Sequence, residues 1–328
     1  MGKIVYIDSH RAGGGPELYE KMRADFEKAG HTFHKEACPT KEDVMAATKD
    51  AIAIITAHTP IDKGIIDNAQ NLKVIVRSAI GYEILDVSAA TAKGIPACNV
   101  PDYCTEEVAN HTFALLLACA RKLKPGARVV ERGEWKARVA YPIHRLSGQT
   151  LGLIGFGRIS RIIAKHAQGF GLTVLAYDPF VTADVCKDLG AEKVELDDLY
   201  ARADYICLNV PLTKDNYHMI NTDSIAKMKD GVMIINAGRG ALVSTEDLVA
   251  GLESGKVRAA GLDVLEEEPL TDTSAKILSF ETVIVTPHIA FDSEEGMGDN
   301  YQKTTDTVLK VLGGELPFNV LNKEALTK

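Results

Sequence analysis

Two patterns of apolar and polar positions alternate along the chain. Short, nearly continuous apolar runs occupy residues 3–8, 51–56, 72–76 and 95–100, and segments with helical spacing separate them. Continuous apolar strands alternating with helices predict a parallel sheet buried on both faces. Gly13-Gly14-Gly15-Pro16 breaks the chain before a helix pattern that runs to about Lys28. The first region is therefore expected to be a doubly wound α/β unit. From Thr105 a long helix is predicted to about Lys124. Thr105 suits an N-cap, and Glu106 and Glu107 suit the positive end of the helix. Its interior, residues 113–120, is apolar nearly all round, which predicts a buried helix placed between two domains. Residues 121–148 are rich in charge, weak in periodicity and hold Trp135, the single tryptophan. They fit either a surface excursion or an arm that wraps a second subunit. A second α/β rhythm runs from Thr150 to about Ala290, with strands expected at 205–210, 232–236, 259–264 and 282–286. Residues 293–312 are helical again.

The second rhythm opens on an informative stretch. Residues 150–154 are an apolar run, Gly155-Phe156-Gly157-Arg158-Ile159-Ser160 a glycine turn leading into a helix, and residues 173–177 a second apolar run ending on Asp178. This is the strand–turn–helix–strand order of a dinucleotide-binding unit. Gly155 suits the tight turn. Gly157 lets the backbone approach a pyrophosphate, which the free N–H groups of the helix N-terminus attract. Asp178 stands 21 residues after Gly157, near the usual spacing of about 20. Its carboxylate can accept from both ribose hydroxyls of NAD and would repel the 2′-phosphate of NADP. Ser160 replaces the third glycine, which serves close helix–strand packing, so slightly wider packing is expected around an intact phosphate site.

Composition narrows the class. A chain of 328 residues, 46% hydrophobic and 25% charged, can bury two ordinary cores. A formal net charge of −8 argues against a nucleic-acid surface. No apolar run approaches the roughly 20 residues that span a membrane, and the N-terminus begins as a strand with no signal-peptide pattern. Cys38, Cys98, Cys104, Cys119, Cys186 and Cys207 form no C-x-x-C pair. They fit buried thiols of a cytoplasmic protein, with no metal site expected.

In open α/β sheets ligands bind outside the carboxyl ends of the strands. Asn236-Ala237-Gly238-Arg239-Gly240 follows one strand, Asp263 with Glu266-Glu267-Glu268-Pro269 another, and Pro287-His288 the last. Singly, each has a plain structural explanation: a surface ion pair, a solvated loop, a histidine under a turn. Together, at the strand ends of one dinucleotide domain, they favour a catalytic reading.

These motifs, with Asn99-Val100-Pro101, Thr105-Glu106-Glu107-Val108-Ala109, Gly261-Leu262-Asp263-Val264 and Thr286-Pro287-His288-Ile289, resemble the D-isomer-specific 2-hydroxyacid dehydrogenases over nearly the whole chain. That family includes phosphoglycerate dehydrogenases and the C-terminal-binding-protein corepressors. The resemblance implies two doubly wound parallel-sheet domains. A Rossmann NAD-binding domain (105–289) would be inserted in a discontinuous flavodoxin-like substrate domain (1–104 and 290–328), with the active site in the cleft between them. It implies His288 as acid/base, Glu268 as its hydrogen-bonded partner, and Arg239 as ligand of the substrate's carboxylate and keto oxygen. Gly155, Gly157, Arg158, Ile159, Asp178, Asn209, Pro211, Ala237 and Asp263 would hold NAD, Asp263 by accepting from the nicotinamide carboxamide. Ala79, Ile80 and Gly81 would bind substrate, the amides of Ile80 and Gly81 cradling its carboxylate.

Departures bear on the substrate. Gly81-Tyr82-Glu83-Ile84 stands where many relatives have Gly-x-Asp-Asn. Similar phosphite dehydrogenases carry a lysine at the place of Ile80, and formate dehydrogenases a glutamine at the place of Glu268, which argues against both substrates. Phosphoglycerate dehydrogenases use an arginine in the loop reading here Thr56-Ala57-His58-Thr59, which argues against a phosphorylated substrate unless His58 or Arg77 substitutes. No C-terminal regulatory domain is expected. The expectation is a homodimeric NAD-dependent D-2-hydroxyacid dehydrogenase acting on a small 2-keto or 2-hydroxy acid, with no nucleic-acid or membrane partner. The alternative is an NAD(H)-sensing corepressor-like binding protein.

Overall fold

The computed structural model describes residues 2–8, 15–136 and 142–327; the glycines at 13 and 14 and part of the charged stretch after Arg121 lie outside them. The chain divides into two compact units, Met1–Cys104 with Asp292–Lys328, and Thr105–Phe291.

The first unit is built on β1 (Lys3–Asp8), β2 (Thr32–Ala37), β3 (Ala51–Thr56), β4 (Val74–Arg77) and β5 (Ala97–Cys98). All pairs are parallel, in the order β2-β1-β3-β4-β5, which is the flavodoxin-like order. Because the strands carry apolar residues on both sides, each face needs a cover. Val5, Ile7, Ile54 and Ile75 pack toward one face, with Val44 and Ile65 from short helices. Ile4, Tyr6, Val74 and Val76 pack toward the other, closed by Tyr301, Val308 and Val311. Those three belong to the helix Glu294–Leu312, so residues from the far end of the sequence complete this unit. β5 is shorter than the apolar run 95–100 suggests. Only Ala97 and Cys98 join the ladder, since Pro96 has no N–H to donate. Beyond it, Cys98 bridges Val320 and Leu321 N–H donates to Ala97 O, which covers an otherwise open sheet edge.

The second unit holds β6 (Thr150–Ile154), β7 (Thr173–Tyr177), β8 (Glu192–Lys193), β9 (Tyr205–Leu208), β10 (Val232–Asn236), β11 (Val257–Leu262) and β12 (Val283–Val285). The order is β12-β11-β10-β9-β6-β7-β8, again all parallel. Counted from β6 this is the dinucleotide-binding order with one strand added outside. Its direction reverses between β6 and β9, where ligands of such sheets bind.

The helix from Thr105 ends at Ala120, earlier than the pattern predicts, because Lys122 takes a left-handed conformation (φ +51°) and a separate helix, Leu123–Glu131, follows. The longer helix packs on β10, β11 and the helix Arg158–Gly169, so its apolar sides are buried within the second unit. In the shorter helix Val129 is buried, whereas Leu123 and Val130 are more than half exposed and Trp135 after it is 90% exposed. All six cysteines are buried and none forms a disulfide; burial pushes Cys98 and Cys119 up to about 12. Among the described residues no helix is long and apolar enough to cross a membrane.

Candidate active site

At the end of β6 the chain must turn sharply into a helix. Gly155 does so with φ +87°, and a Cβ there would lie 2.7 Å from Asn209 O, so only glycine fits. Gly157, the N-cap of the helix Arg158–Gly169, is different: a Cβ built on it meets nothing within 4 Å. The space in front of the helix N-terminus is open, as a bound pyrophosphate requires. Arg158 is exposed beside it and Ile159 half-buried. Asp178 accepts from Phe156 N–H through Oδ2 and from Phe180 N–H through Oδ1, each at 2.8 Å. Acid and glycine turn are thus tied together, and each oxygen keeps a lone pair for a ribose hydroxyl. Asn209 follows β9, with its Nδ2 buried and without a hydrogen-bond partner, a donor left over for a ligand. Pro211 is exposed and Ala237 half-buried at the same sheet edge. This set fits NAD. Ser160 is fully buried and its Oγ has no partner, so the third-glycine substitution leaves a hydroxyl whose desolvation costs about 1–3 kcal/mol.

The loop after β10 is shaped by Asn236, itself fully buried. Its Oδ1 accepts from Gly238 N–H at 3.0 Å and its Nδ2 donates to Arg239 O at 2.8 Å. Arg239 Nη1 turns back to Gly238 O at 2.7 Å. Gly240 then presses on the next loop: a Cβ there would stand 1.8 Å from Leu265 O. That next loop carries the glutamates. Leu265 N–H donates to Glu268 Oε1 at 3.0 Å, and Glu268 Oε2 lies 2.7 Å from His288 Nδ1. One glutamate therefore faces a backbone amide with one oxygen and the imidazole with the other, leaving Nε2 on the far side of a ring whose side chain is 45% exposed. Burial pushes the Glu268 carboxyl up. The hydrogen bond and charge of His288, the Leu265 amide and the charge of Arg239 outweigh it and hold the carboxyl below its ordinary value. Glu268 therefore stays ionised at neutral pH.

His288 adopts φ +56°, a strained setting for a residue with a Cβ. Asp263 holds it there. Asp263 O accepts from His288 N–H at 2.8 Å. Its carboxylate, 1% exposed as a residue, accepts from Thr286 Oγ1 (2.6 Å) and Ile289 N–H (3.0 Å) on Oδ1, and from Ala290 N–H (2.8 Å) on Oδ2. His111 Nε2 sits 3.0 Å from Thr286 Oγ1. Most of the capacity of Asp263 is thus spent on the turn that presents the histidine. Sequence reasoning saw Asp263 only as a nicotinamide ligand and missed Thr286 and His111 as its company.

It also left Glu266 among three look-alike glutamates. Glu266 Oε1 pairs with His218 Nε2, on which Tyr217 stacks at 3.9 Å, and Oε2 accepts from Thr245 N–H at 2.6 Å. Such a pair braces the glutamate loop from its other end. Ala79, Ile80 and Gly81 lie in the first unit, half-exposed in the loop after β4.

A parallel sheet of dinucleotide order, a glycine turn at its switch point and a carboxylate-braced imidazole at the same edge define a pyridine-nucleotide-dependent dehydrogenase. Residues 113–290 match the model of the D-isomer specific 2-hydroxyacid dehydrogenase NAD-binding domain. The chain belongs to the D-isomer-specific 2-hydroxyacid dehydrogenase family. It is 36% identical over 296 residues to glyoxylate reductase of Korarchaeum cryptofilum, covering 89% of each chain. It is 40% identical over 285 residues to D-3-phosphoglycerate dehydrogenase of Methanocaldococcus jannaschii, covering 86% of this chain and 54% of that protein's length. Its fold is similar to that of D-lactate dehydrogenase of Aquifex aeolicus, solved with NAD and lactic acid, with a TM-score of 0.84 and 28% identity over 95% of this chain and 96% of that one.

Proposed function

We propose that the protein reduces a small 2-keto acid to the D-2-hydroxy acid with NADH. The observation that carries this is the His288–Glu268 hydrogen bond at the carboxyl edge of a dinucleotide-binding sheet. Gly155, Gly157, Arg158, Ile159, Asp178, Asn209, Pro211 and Ala237 hold NADH, which supplies the hydride when bound. Asp263, whose side chain is fully buried, fixes the histidine turn next to the place of the carboxamide. Arg239 binds the substrate's carboxylate and keto oxygen, and its cation polarises the carbonyl. His288 Nε2 gives the proton to the forming alkoxide, and Glu268 stabilises the charged ring before that transfer. The amides of Ile80 and Gly81 bind the carboxylate.

The test is NADH oxidation with glyoxylate, hydroxypyruvate, pyruvate and branched 2-keto acids. Turnover on the order of 1 s⁻¹ or more with at least one of them is expected; no turnover with any would refute the reading. Run with NADPH, the same assay should give a kcat/KM lower by about tenfold or more, because Asp178 faces the 2′-phosphate with like charge. Equal values would remove Asp178 from that role.

The reading extends to assembly and location. Leu123, Val130 and Trp135 form an exposed apolar series on the stretch after Lys122, which suits burial against a second copy. Light scattering at micromolar concentration should return a dimer mass, and a strict monomer would overturn this. Six buried cysteines, none in a disulfide, suit a reducing cytoplasm.

A further inference from the structure

Three asparagines hold the loop after β4 in a way that packing alone does not require. Ser78, at the start of that loop, donates its N–H to Thr56 O at 2.9 Å and accepts on its carbonyl from Asn300 Nδ2 at 3.1 Å. Its hydroxyl is bonded to Asn300 Oδ1 and lies 3.1 Å from Thr304 Oγ1. The next carbonyl, of Ala79, accepts from Val100 N–H at 3.0 Å. The one after, of Ile80, accepts from Asn99 Nδ2 at 2.6 Å. Two consecutive carbonyls therefore face the same segment, Asn99-Val100. In a trans peptide the C=O and the N–H point in opposite directions. The N–H groups of Ile80 and Gly81 must then point together, away from that segment. No hydrogen bond among the described residues takes either of them. Adjacent amides turned to one side make a concave donor pair suited to an anion.

Asn99 is itself braced. It is 6% exposed, and its carbonyl accepts from Asn319 Nδ2 at 2.6 Å, which also donates to Thr307 Oγ1 at 3.0 Å. Thr307 and Asn300 both sit on the helix Glu294–Leu312. The loop is thus clasped on both flanks by one helix and the segment after it, through Asn300 on one side and Asn319 and Asn99 on the other.

We propose that Asn99, backed by Asn319 and flanked by Asn300, is a positioning residue that turns the Ile80 and Gly81 amides outward and so sets the affinity for the substrate's carboxylate. This rests on the reading that these amides bind that carboxylate. Asn99 touches only the backbone, so its loss acts through the orientation of two donors. It should affect acids and spare substrates that lack the charge.

The experiment uses the full chain and the keto acid turned over best, together with its primary amide. Asn99→Ala should raise KM for the acid by about 10–100-fold, the order expected when hydrogen bonds to a charged group are lost. kcat should stay within a few-fold and NADH affinity should not change. The preference for acid over amide should narrow, which a general loosening of the fold would not produce. Asn319→Ala, one link further back, should act in the same direction with a smaller rise, and it carries the test if Asn99→Ala does not fold. An unchanged KM and an unchanged acid-to-amide preference in a folded variant would overturn the proposal. If the wild-type chain reduces no keto acid, the reaction reading fails by itself. Oxamate then decides the clasp: it should shift the Ile80 and Gly81 amide resonances in the wild type and not in the variant. Equal shifts in both, or none in either, overturn it.

Discussion

Exchange of His288 for alanine should lower kcat for keto-acid reduction and for hydroxy-acid oxidation by about 10²–10⁴-fold, with NADH binding retained. Both directions suffer because one ring nitrogen gives the proton one way and takes it the other. The neighbouring change, Glu268→Gln, separates charge from geometry. Glutamine can still accept a hydrogen bond from His288 Nδ1, now 2.7 Å from a carboxylate oxygen, but it carries no charge beside the ring. The hydrogen bond and charge of His288 and the Leu265 amide hold the carboxyl below its ordinary value against burial, so the charge that glutamine removes is present at neutral pH. With it gone, kcat should fall by about tenfold or more in both directions, the order expected when a hydrogen bond to a charged group is lost. Rates in both directions at neutral pH, with a deuteride isotope effect to show that chemistry limits the rate, decide the matter. Unchanged rates in Glu268→Gln would make Glu268 a solvated loop residue.

The second large effect is expected at Gly240. A methyl group there would stand 1.8 Å from Leu265 O, 2.0 Å from Leu265 C and 2.6 Å from Glu266 N. All three are backbone atoms, so no side chain can swing aside. Either the loop carrying Arg239 or the loop carrying Glu268 must retreat by an ångström or more. Displacement of that size costs on the order of 10²-fold in rate when it separates catalytic groups. Gly240→Ala should therefore lose at least about that factor in kcat/KM while NADH affinity, set at the β6 turn, stays near wild type. A variant with near-normal turnover would show that the two loops are positioned independently.

The glycine turn and Asp178 were legible because a phosphate and a ribose impose residue types at fixed spacing within thirty residues. Arg239, Glu268 and His288 were legible because each follows an apolar strand. What escaped had no local signature. β8 is two polar residues, Glu192 and Lys193, recruited to the sheet edge by β7. The helix break at Lys122 is a backbone event that no change of hydrophobic pattern announces. The work of Asp263 is spread over Thr286, Ile289 and Ala290, and a buried carboxylate that orders a turn looks in sequence like one that binds a ligand. Asn99 could be quoted as part of a motif, but its partner Asn319 stands 220 residues away, beyond any periodicity.

That separation has a consequence for the order of events during synthesis. The Thr105–Phe291 unit is one continuous stretch and holds all its own strands as soon as it has left the ribosome. The other unit is begun first and finished last. Its five strands emerge within the first hundred residues, yet the helix that helps cover one face, the segment that shields β5 and two of the asparagines that clasp the loop after β4, Asn300 and Asn319, are translated about 190 residues later or more. Throughout that interval one apolar face of the sheet is only partly covered, by Tyr19, Met22 and Phe26 of the helix Pro16–Lys28, and the β5 edge is open, which is the condition under which chaperones hold and unpaired edges aggregate. The clasp on the loop after β4 is thus begun early and completed only when the last part of the chain has been made.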